Sequence, residues 1–364
     1  MPLLIQYVLK EYLRFLALLV GALFMIFFTI HFLEKMRLFS QAQVEFFVIV
    51  QYLLLRVPKM ISELMPIAML LAALITFGTL SKNNEIVPIM NAGVGLMGLA
   101  TPLLVVGGGI SVLFLLLNGS FVPFTQKWAS AIHQEKIEQR GSATLLQNKI
   151  WFRLNSNTLL YTQLVDSNEK ILHGVHLYYL GDDMPIIEEI EARSLRYEKG
   201  QWTLYQGVHL QYQKNRAILR IPFEKKEIQI DKTLSDMQQI EIKPNEMSYG
   251  RLSSYIDQLK KDGLNATPYQ IALQSNMAFP FANFILTLLG IPLSFSYLRK
   301  GGMAKNVIVG LGVALLYSLL LSITLSLGRL QVIPPFIAGW GGHVLFLIVG
   351  ATLFYNCHQK GPSR

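Results

Sequence analysis

Six apolar stretches, three before Phe124 and three from Ile271 onward, bracket one long polar segment. A bilayer core takes roughly 20 apolar residues per helix. The stretches 13–33, 61–80, 99–122, 271–298, 306–327 and 331–357 all meet that length and carry almost no ionisable residues. Arg14, His31, Glu63 and His343 are the exceptions. The layout predicts an α-helical membrane protein with six transmembrane helices and an inserted all-β domain, jellyroll-like in its strand spacing. A mean hydropathy of +0.39 fits no ordinary soluble protein of this size. The first stretch is longer than a signal-peptide core and is followed by no small-residue cleavage site, so it reads as a retained helix.

A net charge of +9 raises the question of nucleic acid. Basic membrane proteins answer it differently, with Lys and Arg gathered at cytoplasmic helix ends and near anionic headgroups. No nucleic-acid partner is therefore expected. With alternating helices, Lys10, Arg14, Lys82, Arg299, Lys300, Lys305, Lys360 and Arg364 fall on one side. Lys35, Arg37, Arg56, Lys59 and Arg329 fall on the other. The bias of eight to five puts both termini in the cytoplasm and the polar segment outside, which in a two-membrane bacterium is the periplasm. The single cysteine, Cys357, sits at the end of the last span, so the polar segment holds no disulfide and no Cys-based metal site.

Within that segment the apolar period is two, not 3.6. Strands are read at 158–165, 175–180, 201–205, 208–212, 217–221 and 227–230, with Gly207 separating the third from the fourth. Gly181-Asp182-Asp183 reads as a turn. Each strand has one apolar face. Trp151, Phe152, Tyr178 and Trp202 either close a core or line a groove for acyl chains. His173, His176 and His209 lack metal-ligand spacing, and no metal or other cofactor is expected. An amphipathic helix over 252–259, ended by Lys260-Lys-Asp-Gly263, leads back to the membrane. The chain divides at this level into 1–124 (helices one to three), 125–250 (the β domain) and 251–364 (short helix, then helices four to six).

The chain has no G-x-x-x-x-G-K-[ST] loop, no G-x-S-x-G and no H-E-x-x-H. It reads as a non-enzyme, with ATP hydrolysis, if transport needs it, in a separate ATPase partner. Proton-coupled transport uses buried ionisable groups inside the spans, and these are scarce. Glu63 has Lys59 one turn before it and reads as a structural pair. Between spans two and three, near 82–93, Ile86, Ile89 and Met90 share one helical face behind Glu85. Such a segment either lies on the lipid surface or docks in a partner's groove, with its acid meeting a basic residue.

Several runs carry a resemblance to the lipopolysaccharide export permease family, LptF and LptG. They are Val57-Pro58-Lys59, Pro66-Ile-Ala-Met-Leu-Leu-Ala-Ala-Leu74, and Glu85-Ile86 with Met90, Ala92 and Gly93. Leu252-x-x-Tyr-Ile-x-x-Leu-Lys-x-x-Gly263, Tyr269 and Ile333-Pro334-Pro335 look more like LptG than LptF. Pro88 departs from the pattern by standing within the short helix, which implies a later start or a bend.

The resemblance implies the permease subunit of an ATP-driven ABC transporter in the inner membrane. It implies an LptB-like ATPase dimer on the coupling residues Glu85, Ile86, Ile89, Met90, Ala92 and Gly93. It further implies an LptF-like second permease, an LptC-like single-helix protein and an LptA-like bridge. The cargo would leave the outer leaflet through the periplasmic β domain. Exposing acyl chains to water costs about 25 cal/mol per Å², so a covered apolar route fits the task. Lys35 and Arg37, with His31 a turn inside, are the candidates for the lipid phosphates; the family has a lysine cluster nearby. Neutral His31 is a weaker anion ligand than Lys, and all three also suit snorkelling anchors. The rival reading is a membrane-anchored periplasmic lipid-binding or sensor protein without transport activity.

Overall fold

The computed structural model describes residues 2–42, 44–91, 94–133, 136, 150–155, 157–166, 171–181, 186–198, 201–213, 216–228, 230, 243–261, 264–297 and 303–360. Ala92, Gly93, Asp182, Asp183, Gly263, Leu298, Arg299, Lys300 and Arg364 lie outside them, as do the side chains of Met90, Trp151, Phe152, Lys305 and Lys360. The chain divides into two compact units, one of residues 1–130, 244–256 and 266–364, the other of 131–243 and 257–265.

The first unit is helical. Its main elements are α1 (Pro2–Gln41), α2 (Phe46–Lys82), α3 (Ile86–Asn91), α4 (Leu96–Gly119) and α5 (Phe121–Ile132). After the β strands come α6 (Tyr249–Lys261), whose residues from Asp257 belong to the second unit, α7 (Thr267–Ala278), α8 (Ala282–Tyr297), α9 (Met303–Arg329) and α10 (Pro335–Lys360). Six spans are long and apolar enough to cross a membrane, with α7 and α8 together forming the fourth. At 1.5 Å per residue, α1 is about 60 Å long, twice the hydrocarbon core of about 30 Å. The apolar stretch marks only the part inside the bilayer. The backbone ladder continues past it.

The fourth span tightens into a 3₁₀ turn at Phe279–Phe281. Pro280 has no N–H to give the ladder there. That frees the Asn276 carbonyl, which accepts the Tyr249 hydroxyl at 2.8 Å, and beyond the turn the Phe284 N–H donates to Ser111 Oγ of α4 at 3.2 Å. At the centre, α2 and α8 close on each other through Gly290, where a Cβ would sit 2.9 Å from Ala73 Cβ and 3.1 Å from the Leu70 carbonyl. Ala68, Met69, Ala72, Ala73 and Phe77 of α2 pack in one core cluster, and Leu70 and Leu74 in another with Ile285, Leu286 and Leu289. The most apolar window of α2 is 72% buried, against 6% in α1. Helix α5 was not anticipated. Ser120 (φ −144°, ψ −54°) ends the third span, and the apolar residues beyond it belong to this separate helix.

The second unit holds a six-stranded antiparallel sheet in simple meander order. Its strands are β1 (Ile150–Asn155), β2 (Thr158–Asp166), β3 (Ile171–Leu180), β4 (Ile186–Glu198), β5 (Gln201–Gln213) and β6 (Arg216–Ile228). Gly207 does not separate two strands. It lies inside β5, beside Gln206 at φ +51°. Pairing is interrupted along one row that crosses the sheet: Gln163, Gly174 (φ +61°), Arg193, Gln206 and Glu224. The register is the same on either side of the row, so no strand gains a residue over its neighbour; each carries one unpaired residue there, and the alternation shifts on all of them together. That is why Leu172 and Val175, three apart, both face the core, as do Ala192 and Leu195. The segments 217–221 and 227–230 likewise join into β6, which ends at Ile228.

Trp202 is fully buried in this core, packed on Tyr197. Tyr178 stands on the opposite face, directly across from Glu189, with His176 across from Glu191. His176 Nδ1 is 3.1 Å from Glu189 Oε1, and Tyr212 donates to Glu189 Oε2 at 2.7 Å. Burial, then Glu189, pushes Tyr178 up to about 12. The Glu189 hydrogen bond, then burial, does the same for Tyr212. Both phenols therefore stay protonated donors at physiological pH. His209 Nε2 meets Glu188 at 3.0 Å. These histidines serve side-chain pairing across strands.

Candidate functional site

Two places carry the candidate residues. The first is the turn between α2 and α3. Helix α2 ends with Asn84 at φ +56°, the left-handed conformation that Asn tolerates better than most residues. Asn84 N–H bonds to the Ser81 carbonyl at 2.9 Å and Glu85 N–H to the Leu80 carbonyl at 2.9 Å. This paired closure is a Schellman motif. It turns the chain sharply and sets Glu85 immediately before α3, where its carbonyl accepts the Ile89 N–H at 3.2 Å.

Pro88 falls in the first turn of α3, where its missing N–H has no partner to lose. The helix therefore starts at Ile86, with Pro88 inside its first turn. Ile86 and Ile89 are buried at 4% and 6% exposure, inside the cluster with Val8, Tyr12, Leu80 and Leu99. Their apolar face anchors the segment to its own chain. Among the described side chains from Glu85 on, half-exposed Glu85 and exposed Pro88 are left outward. Glu85 Oε2 accepts the Tyr7 hydroxyl at 2.9 Å and Oε1 accepts Asn83 Nδ2 at 3.0 Å. Tyr7, on α1, had no sequence signal, because 78 residues separate it from Glu85.

A hydrogen bond to a charged partner contributes about 1.5–3 kcal/mol, less when exposed. Tyr7→Phe keeps the ring and removes only the donor. Amide exchange at Ile86–Ile89 is expected to quicken about fivefold, as for a loss near 1 kcal/mol. Unchanged exchange would show that the Tyr7 hydroxyl does not hold the segment.

The second place is the far end of α1. His31 stacks on Tyr52 of α2 with ring centroids 6.4 Å apart and 23° between planes. Phe39 meets the same ring edge-on at 5.9 Å. Arg56 Nε donates to the Tyr52 hydroxyl at 3.3 Å, and its Nη1 donates to Gln126 Oε1 of α5 at 2.8 Å. Lys35 lies one turn from both His31 and Phe39, on their side of α1, and is half-buried. Arg37, two positions further, is turned roughly 200° around the helix and is exposed. The structure thus groups His31 and Lys35 with Tyr52 and Arg56, and separates Arg37 from them. His31 Nε2 is buried with no hydrogen-bond partner among the described residues.

Arg56 was missing from the sequence candidates. Its signal was available: it falls on the same side of the membrane as Lys35 in the charge count. Further along α2, Lys59 Nζ and Glu63 Oε1 pair at 3.3 Å, as the spacing predicts. They line a polar cavity of about 170 Å³ with Asn118, Asn245 and Asn276.

The chain matches the family model described as lipopolysaccharide export system permease LptF/LptG over residues 6–356. No curated protein matches it. The family match begins inside α1, passes through every span and the whole sheet, and ends within α10. On that span of agreement the chain belongs to the LptF/LptG family: it is an integral inner-membrane permease with a role in lipopolysaccharide export, not a hydrolase.

Proposed function

We propose that this chain is the LptG-like half of an ATP-driven exporter that extracts lipopolysaccharide from the outer leaflet of the inner membrane. In this reading both termini are cytoplasmic and the sheet is periplasmic, where it passes the lipid to LptC-like and LptA-like proteins. The observation that carries it is the presentation of Glu85. A rigid turn sets one half-exposed acid outward, while Ile86 and Ile89 bind the segment firmly to α1, α2 and α4. A basic residue on an LptB-like ATPase meeting Glu85 would then move the spans themselves. Spans α1 and α9, only 6% and 17% buried in their most apolar windows, leave faces for a second, LptF-like permease.

Purification of the full chain from native membranes tests this. Co-isolation of a small P-loop ATPase and a similar permease is expected. A lone chain whose lipid binding and release need no ATP would favour the anchored lipid-binding or sensor protein instead.

For the cargo phosphates, Lys35 and Arg56 are the cations on the His31 face, and Arg37 contributes least. Lys35→Glu is expected to lower photocrosslinking to lipid A roughly 10- to 100-fold, as for one lost charged hydrogen bond of about 1.5–3 kcal/mol. Arg37→Glu should change it little. Equal losses in the two variants would contradict the separation of their faces, and no loss in either would remove the site.

A further inference from the structure

A groove of about 390 Å³ lies among α4, α8 and α10. Gly108 forms part of its wall, and a Cβ at that position would meet nothing within 4 Å. Ser111 faces the groove, yet its hydroxyl already donates to the Gly107 carbonyl at 2.8 Å and accepts the Phe284 N–H. His343, on the floor, is joined through Nδ1 to the Tyr317 hydroxyl at 2.5 Å. Trp340 is fixed in place by its Nε1–H bond to Gln274 Oε1 at 3.0 Å, with the Phe281 and Phe336 rings beside it. At the rim, Val112 and Val344 are 58% and 47% exposed.

The chemistry of the lining narrows the occupant. Among the described residues, no Lys, Arg, Asp or Glu lines the groove. An apolar cavity of even about 150 Å³ stays dry and takes hydrocarbon guests, so water is not the filler. A helix is roughly 10–12 Å across, too broad for a crevice of this volume, whereas a single hydrocarbon chain fits. A lipid's phosphate stays at the headgroup layer outside this lining, which takes hydrocarbon alone. The groove lies between three helices that cross the bilayer, so the apolar chains at its mouth belong to bilayer lipid.

We propose that this groove is a binding site for one acyl chain of a bilayer phospholipid. The site rests on the spans alone and is independent of the ATPase and of the Lys35 face.

The full chain, with whatever co-purifies, would be reconstituted in liposomes containing a phospholipid with a diazirine in its acyl chain. After photolysis, labelled peptides are mapped by mass spectrometry. Labelling is expected at Phe281 and Trp340. Gly108→Leu places a side chain in the groove and should cut that labelling at least roughly tenfold, the scale of small changes to a hydrophobic pocket. Labelling at Leu316, exposed on α9, should not change. If the thermal melt shows that Gly108→Leu misfolds, Val112→Phe blocks the groove from its exposed rim and should give the same loss. Equal labelling in blocked and unblocked proteins would overturn the site. Labelling by a diazirine-bearing lipid A that displaces the phospholipid, or crosslinks from these positions to a partner protein, would overturn the assigned occupant.

Discussion

Lipopolysaccharide release by the Glu85→Lys variant is expected to fall roughly 30-fold or more, the scale of losing about 2–5 kcal/mol when one member of a buried charge pair is removed. The geometry makes this residue separable from the fold. Ile86 and Ile89 hold α3 by burial, and the Asn84 closure holds the turn by backbone bonds. Neither needs the carboxylate. A lysine there would lose the Tyr7 bond, near 1 kcal/mol, and sit unfavourably before the positive end of α3, a further local penalty of about 0.3–1 kcal/mol. Together these are smaller than the partner effect. Glu85→Gln keeps an oxygen for the Tyr7 hydroxyl and should give an intermediate loss. The readouts are release to a soluble acceptor and the amount of ATPase that co-isolates. Full export with normal ATPase binding in Glu85→Lys would end the coupling role.

The second large effect concerns the sheet. In Gly207→Val, the new Cβ would stand 2.2 Å from the Glu191 carbonyl oxygen, 2.5 Å from Phe223 Cζ and 3.1 Å from Ala192 Cα. The phenyl ring can move, but the carbonyl belongs to the β4–β5 ladder, where Gly207 is opposite Ala192. Overpacking costs about 1–3 kcal/mol where side chains can yield, and more is expected where the backbone must. The strand signal in circular dichroism should weaken and protease cleavage within 150–228 should rise. Gly250→Ala, whose Cβ meets nothing within 4 Å, serves as the tolerated control. An unchanged melt for Gly207→Val would mean that the two strands part more easily than their close approach implies.

Much of the architecture was legible because it rests on local pattern. Runs of apolar residues long enough to cross a bilayer have few other uses, and all six spans formed. Alternation located β2, β3, β5 and β6, although the row of unpaired residues broke β5 and β6 into apparent pairs. Strand β4 escaped notice for a related reason. Glu188, Glu189, Glu191, Arg193 and Arg196 give it a polar look. In the sheet those acids pair with His176, His209 and Tyr212 on neighbouring strands. Helix α5 was hidden because the apolar residues 121–124 run on from the third span.

The candidate residues divide in the same way. Lys35 and Arg37 are near neighbours in sequence and read as one group, but a helix turns them apart. Arg56 and Tyr7 enter through contacts with residues far along the chain. Ile86 and Ile89 read as a face for the lipid surface or for a partner's groove, yet they pack into their own core. Spacing shows that a face is apolar without showing what covers it.

By itself, the sequence determined that this chain crosses a membrane six times, carries an inserted β segment and places Glu85 on a short helix between spans. Each of these follows from periodicity, length and local turn chemistry. The tertiary structure decided that Tyr7 holds Glu85, that Arg56 stands with Lys35 while Arg37 does not, that Trp202 fills a core, and that Gly108 opens on a groove. Those are choices of partner between distant segments. They depend on how helices and strands pack in three dimensions, and no local pattern records that.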